Sequence, residues 1–316
     1  MQDSEKIEDA NHSTDQQGNY HIPVLLQETI DGLAIKQDGI YVDCTFGGGG
    51  HSKEILKLLG ESGRLIVFDQ DEAARKNVPN DKRIIFVAQN FRHLQKFLRL
   101  HKYPQVDGIL ADLGVSSHQF DEAERGFSTR FDAALDMRMD NRQPVTAAII
   151  LNTYTEQQLH KIFEKYGEVT NSKTLAKTIT EQRTIAPFTT ISLFKQSLQA
   201  IVKGNPNKYF AQVFQALRIT VNDEMGALEE MLQQAVAALK PGGRLVVISF
   251  HSLEDRIAKN FFKHGAVAEP EADDVYGTRQ ESPLIIISKK PVTASAAELK
   301  INSRSRSAKM RIAQKK

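Results

Sequence analysis

Cysteine is nearly absent: Cys44 is the single one in 316 residues. One thiol can make neither a disulfide framework nor a Cys-based zinc cluster, which suits a reducing compartment. Long apolar runs are missing as well. Nothing approaches the roughly 18 apolar residues that span a bilayer, and residues 1 to 19 contain no apolar segment of the signal-peptide kind. A cytoplasmic protein without membrane association is therefore expected. Nor is there a large charge of one sign, since the formal net charge is +2, too small to mark the whole chain as a polyanion binder. What is left is an ordinary globular composition, 41% hydrophobic and 25% charged, long enough to bury a core and to form about two domains. No internal repeat is visible. The oligomeric state stays open, a homodimer included.

The small net charge hides an uneven distribution. Asp3, Glu5, Glu8, Asp9 and Asp15 against Lys6 make residues 1 to 19 acidic. With little to bury, that segment is expected to be a disordered leader. From Lys289 to Lys316, nine Lys or Arg face one acid, Glu298, and Arg304, Arg306, Lys309 and Arg311 alternate with serines and small residues. Such a basic tail reads equally as a solvated end or as a stretch that tracks a phosphate backbone.

Between these ends the chain alternates strand and helix. Strands are expected at 40–46, 64–69, 83–88 and 106–112, and helices at 51–59, 71–77 and 91–102. Runs such as Ile84-Ile85-Phe86-Val87 lack polar alternation, which fits a mostly parallel, doubly wound α/β sheet buried on both faces. From Gly114 to Asn222 the alternation stops. Thr155 with Gln158 forms a capping box ahead of Leu159, Ile162, Phe163 and Tyr166, and helical segments follow at Leu175 to Arg183, Ile191 to Val202 and Tyr209 to Ile219. The pattern then resumes. A helix from Asp223 to Leu239 is expected to be capped by Asn222 and stopped by Lys240-Pro241-Gly242-Gly243. The strand Arg244 to Phe250, a helix from Leu253 to Lys263 and a late strand from Leu284 to Ser288 complete the sheet. The expected division is a discontinuous nucleotide-binding domain, 20–116 and 223–316, with an all-helical insert, 117–222, that leaves the carboxyl end of the fourth strand and roofs the ligand edge for substrate recognition.

The most informative motif is the strand Tyr41-Val42-Asp43-Cys44-Thr45-Phe46 breaking into Gly47-Gly48-Gly49-Gly50-His51, with the strand Arg64 to Phe68 ending on Asp69. A glycine turn lets backbone approach a ligand, and a carboxylate about 20 residues on can accept hydrogen bonds from a ribose diol. The kinase-type phosphate loop fails at two positions, because Ser52 stands where its second glycine should be and Glu54, after Lys53, where its serine or threonine should be. A dinucleotide loop fits Gly47 and Gly49 but finds Ser52 in place of its third glycine. S-adenosylmethionine has no phosphates to cradle, and suits the turn best.

Six ordered segments then resemble the ribosomal RNA small subunit methyltransferase H family, the bacterial 16S ribosomal RNA cytosine-N4 methyltransferases. They are His21 to Leu26, Asp43 to Ser52, Asp112 to Ser117, Arg125 to Ser128, Leu135 to Asp140 and Ser249 to Arg256. The resemblance implies a class I S-adenosylmethionine-dependent methyltransferase fold, Rossmann-like with an inserted helical domain. It implies 16S rRNA of the small subunit as partner, and N4-methylation of a cytidine in the decoding region without a metal. By the same resemblance Gly49, Gly50 and His51 line the cofactor site, Asp69 takes the ribose hydroxyls, Phe91 flanks the adenine, and Asp112 and Gln119 close the methionine side. Cys44 and Gly48 depart from residues common in the family.

In-line methyl transfer asks the protein mainly to align the nucleophile and support the charge shift. The cytosine amine is a poor nucleophile, so an acceptor on its hydrogens is needed. Asp112, at the tip of the fourth strand, is the candidate, with His251 as a second catalytic candidate. The Asn/Asp-Pro-Pro-aromatic motif of many amino-methyltransferases is absent, so Phe127, Phe131 or Phe250 is expected to clamp the flipped base. Asp136, Arg138 and Asp140 read equally as a salt-bridged loop or as one that orders RNA. Two other functions compete, an NAD-dependent oxidoreductase resting on Gly47, Gly49 and Asp69, and a non-catalytic RNA-binding protein resting on the basic tail.

Overall fold

The computed structural model describes residues 23–266 and 281–316. The acidic leader, and His21 and Ile22 of the first matching segment, lie outside them. One seven-stranded sheet is built from β1 (Ile40–Asp43), β2 (Arg64–Phe68), β3 (Ile84–Val87), β4 (Val106–Asp112), β5 (Leu239–Ser249), β6 (Leu284–Ile286) and β7 (Lys309–Lys315), in the order β3-β2-β1-β4-β5-β7-β6. The first five strands run parallel, and β7 runs antiparallel to both neighbours. This is the expected class I, Rossmann-like methyltransferase sheet.

Its strands are apolar throughout because both faces are covered. Leu65 and Val67 point into one core with Val24, Leu33, Ile55 and Leu59, from α1 (Leu26–Leu33), α2 (Gly50–Leu58) and their flanks. Ile66 and Phe68 point into the other, with Leu94 and Leu98 of α3 (Leu94–Leu100) and helices from the C-terminal half. All four strand residues are fully buried, each contributing about 1.5–3 kcal/mol. β1 lies between β2 and β4, so the connection reverses direction beside it, and a ligand crevice opens at the carboxyl ends of these strands.

Between β4 and the return to the sheet come α4 (Ser117–Asp121), α5 (Ala147–Thr153), α6 (Glu156–Lys165), α7 (Ser172–Ile185), α8 (Ile191–Ser197) and α9 (Pro206–Asn222). They close a core of their own around Leu151, Phe163, Leu175, Phe194 and Phe214. The capping box at Thr155 and Gln158 is formed. Three helices remain, α10 (Glu224–Ala238), α11 (Ser252–His264) and α12 (Ala296–Ile301). Among the described residues no helix is long and apolar enough to cross a membrane.

Three expectations need correction. Asn222 does not cap α10; it ends α9, and Asp223, left-handed at φ 46°, joins the two helices. The amide of Asn222 is spent inward, accepting from the Met139 N–H at 2.7 Å and donating to the Met137 carbonyl at 2.8 Å. Lys240-Pro241-Gly242-Gly243 is not a loop before the strand but an irregularity inside β5, whose register to β4 shifts between Val106 and Gly108. Finally, the basic tail is not a tail. Lys309–Lys315 is an inner strand, with Met310, Arg311, Ile312 and Ala313 buried, and the Arg311 guanidinium meets Asp255 of α11 at 2.6 Å.

Candidate active site

The glycine run turns because two of its residues take left-handed backbone. Gly47 has φ 52° and Gly49 φ 74°. The Gly47 N–H donates to Asp69 Oδ2 at 2.8 Å, which ties the β1 turn to the tip of β2. A Cβ at Gly48 would meet nothing within 4 Å, whereas one at Gly49 would lie 2.9 Å from the Phe46 ring. Gly49 therefore shapes the turn from behind: its N–H goes to the Phe46 carbonyl and its carbonyl to the Lys53 N–H. Gly47, Gly48 and Gly50 stand on the cavity wall, with Gly49 setting the turn between them.

That wall belongs to a cavity of about 1010 Å³ at the carboxyl edge of the sheet, at the upper end for a small-molecule site. His51, Asp69, Phe91, Asp112, Gln119, Phe250 and His251 line it, joined by Met139 and Asn222 from the insert. The fold thus gathers His51, Asp69, Phe91, Asp112, Gln119 and His251, the predicted cofactor and catalytic residues, around one space with the glycine turn.

Its carboxyls differ in state. Asp69 accepts the Gly47 N–H on one oxygen and the Asp71 N–H on the other, both at 2.8 Å. Burial outweighs these bonds and pushes its carboxyl up to about 7, with Asp71 and Asp43 adding to the rise. Asp112 is pushed well above the usual range, by burial first and then by Asp43 and Glu254. Asp112 Oδ1 is buried without a hydrogen-bond partner, a costly arrangement that active sites tolerate. Its Oδ2 lies 3.7 Å from His51 Nδ1. His51 Nε2 faces the Val24 carbonyl at 2.9 Å, so that nitrogen carries the proton and Nδ1 presents its lone pair. Burial lowers the His51 imidazole below its ordinary value, keeping it neutral.

Gln119 and Phe91 are placed by different means. Phe91 starts a short 3₁₀ turn after β3 and is half-buried. The Gln119 amide donates to Asp71 at 2.9 Å, and its oxygen accepts from the Ser116 N–H at 3.3 Å. These two bonds fix the amide on the cavity wall and leave one N–H and one lone pair of it to spare. His251 is the N-cap of α11, and its Nε2 lies 3.2 Å from Glu254 Oε1, off the line of a hydrogen bond.

Of the aromatic candidates, Phe250 is on the cavity wall. Phe127 is 7% exposed in the core of the insert, and Phe131 is half-exposed over a separate surface hollow with Ser192 and Lys195; both are corrected as clamps. Arg138 is bidentate on Asp136 and Arg142 on Asp140, all at 2.8–2.9 Å. That loop is salt-bridged, its charges mutually satisfied.

Sequence reasoning missed a supporting layer. Asp43, at the end of β1, accepts from Ser52 Oγ at 2.6 Å and from the Thr45 N–H at 3.0 Å; a carboxylate just before the glycine turn was its available signal. Asp71 accepts from Gln119 and from Arg125 at 2.8 Å, and Arg125 also reaches the carbonyls of Arg138 and Met139. Against the upward push of burial, Gln119 and Arg125 hold Asp71 below the usual range. As for metals, Glu224, His251 and Glu254 bring ligand atoms within 4.8 Å of one another. The half-buried Arg218 guanidinium is bidentate on Glu224 at 2.8 and 3.0 Å, however, and already supplies positive charge there.

Comparison with known proteins agrees with this geometry. The model of the MraW methylase family matches residues 18–316. Ribosomal RNA small subunit methyltransferase H of Bacteroides thetaiotaomicron is 55% identical over 298 residues, 94% of this chain and 98% of the relative. The protein of the same name from Flavobacterium johnsoniae is 53% identical over the same shares. The chain belongs to the MraW methylase family and is a methyltransferase.

Proposed function

We propose that this protein transfers the methyl group of S-adenosylmethionine to the exocyclic N4 amine of a cytidine in the decoding region of 16S ribosomal RNA. The observation that carries the reading is the cavity itself: Asp69 at one strand tip, the unpartnered oxygen of Asp112 at another, and Phe250 beside it on the wall. The names of the relatives supply the RNA.

The residues fit the cofactor. Each Asp69 oxygen has one lone pair left after its backbone bond, enough for a ribose diol. The open face of Gly48 leaves room for backbone approach, Phe91 offers a ring edge to the adenine, and Gly50, His51, Asp112 and Gln119 bound the methionine side. Bound there, S-adenosylmethionine supplies an electrophilic methyl on a sulfonium. Asp112 holds the amine. Its backbone is fixed by the bond from its N–H to Thr45 Oγ1 at 2.7 Å, and its free oxygen accepts from the amine hydrogen, returning the lone pair from the ring. A carboxylate whose pKa is raised by burial is a stronger base once ionised. Phe250 holds the base by its face. Its N–H is pinned by Glu254 at 2.8 Å, and His251 caps the helix that carries Glu254, a positioning role.

The test is transfer of labelled methyl to small subunits from cells lacking the enzyme, with the product nucleoside mapped. N4-methylcytidine in the decoding region is expected, and methylation elsewhere, or none with the cofactor bound, overturns the reading. Asp112→Asn should retain cofactor binding and lose most of the rate. In the wild type the rate should climb as pH rises through the elevated Asp112 range.

A further inference from the structure

One stretch of the basic C-terminal region is left unexplained by the sheet. Between α12 and β7 the segment Ser303–Ser307 forms a 3₁₀ turn, in which residues three apart share a face. Asn302, Ser305 and Ala308 are buried at that spacing, while Arg304 and Arg306 are exposed. The turn is braced from inside: Ser305 Oγ donates to the Asn302 carbonyl at 2.7 Å, and Asn302 Oδ1 accepts the Arg304 N–H at 3.2 Å. The preceding helix is anchored as well, Glu298 accepting the Leu25 N–H at 2.9 Å. A solvated end has no need of such bracing. Its product is a fixed arginine at the cavity, which Ser303 and Arg304 help to line.

Arg304 does not project alone. Its guanidinium lies 5.9 Å from the ring centre of Phe120, on α4 of the insert, and donates to Asp121 of the same helix at 2.6 Å. Phe120 is itself 38% exposed and lines the same cavity. An aromatic face and a guanidinium plane, held together at the mouth by residues 184 positions apart in number (120 and 304), make the kind of platform on which unpaired bases stack. Positive charge beside it suits the flanking phosphates.

We infer that Phe120 and Arg304 form a lip that holds an unpaired nucleotide flanking the target in single-stranded RNA, with Arg306 adding positive charge on the same turn. The inference rests on the proposal that RNA is the substrate. The lip joins the insert to the last segment of the sheet domain, so RNA bound there spans both. It also gives the arginine-serine run a task distinct from the cofactor chemistry deeper in the cavity.

Kinetics with small subunits from cells lacking the enzyme test it, using Phe120→Leu, Phe120→Trp and Arg304→Ala. Phe120→Leu and Arg304→Ala should raise KM for the subunit on the order of ten-fold with kcat nearly unchanged, and Phe120→Trp should restore it. Binding of S-adenosylhomocysteine, followed by calorimetry, should be unaltered in all three and also reports that they fold. Normal transfer with an unchanged KM overturns the lip alone. Weakened S-adenosylhomocysteine binding by Arg304→Ala would instead assign that arginine to the cofactor's carboxylate and overturn it too. No transfer by the wild type would sink the RNA reading and the lip together.

Discussion

Gly48 and Gly49 are neighbours in one run and answer to different forces. Gly49 is left-handed and backed by Phe46, while Gly48 has ordinary backbone and open space. Gly49→Ala should cost at least ~1–2 kcal/mol from backbone conformation alone, and Gly48→Ala about 0.5 kcal/mol or less. Urea unfolding of the two variants would show this, and equal losses would refute the assignment. Asp69 shows how burial can tune a binding group. Between the ordinary carboxylate range and about 7, the folded state holds a proton that the unfolded chain has lost, so Asp69 lowers stability as pH rises through that window. Ribose hydroxyls donate to the ionised form, so binding releases that proton, and affinity for S-adenosylhomocysteine should rise with pH up to and slightly beyond about 7, then level. Asp69→Ala should weaken binding by ~1.5–3 kcal/mol, and Asp69→Asn should flatten the pH dependence. Calorimetry across this range decides it; a variant that keeps the wild-type slope removes Asp69 from the role.

Among the elements, β7 has the sharpest consequence. It pairs with β5 over six positions, Arg244 to Ser249, and with β6 over three. Deleting residues 309–316 should therefore abolish cooperative thermal unfolding, where removal of a solvated end would leave it intact. Arg311→Ala, which leaves Asp255 with only Lys309 at 3.6 Å, should fall at the low end of the ~3–5 kcal/mol lost when a buried pair is broken. The parallel strands were legible because continuous apolar runs need no partner to be recognised. β7 was not, because its charges are satisfied by groups far along the chain: Arg311 by Asp255, and Lys315 by the Leu239 carbonyl at 2.7 Å. The site divides in the same way. Asp69 and Asp112 stand at the ends of readable strands. The Gln119–Asp71–Arg125 contacts join residues 48 and 54 apart, through loops with no periodicity to announce them.

Those contacts are where the whole molecule is coupled. The helices of the insert and the sheet each close their own core, and only a small apolar cluster, Ile219 with Met225 and Leu253, bridges them. What fixes one against the other beside the site is largely polar: Arg125 on Asp71, Gln119 on Asp71, and Gln70 Nε2 near the Met139 sulfur at 3.2 Å. Asp71 follows Asp69 by two residues and donates its N–H to it, so disturbance of the junction reaches the ribose carboxylate directly. Arg125→Ala leaves Asp71 buried without its cation, a loss of ~3–5 kcal/mol for a buried pair. The loss should appear as weaker S-adenosylhomocysteine binding and faster hydrogen exchange in residues 119–139, while both cores stay protected. The sign of the acid response is also fixed. Because Asp71 is held below the usual carboxylate range, its stabilisation is complete above the unfolded pKa and is lost as pH falls through the folded one. Removing Arg125 removes much of that depression, since burial then acts with less to oppose it. The unfolding midpoint in urea should therefore drop less on acidification below about pH 4 in Arg125→Ala than in the wild type. Equal drops would mean that Asp71 and Arg125 do not carry the coupling between insert and sheet.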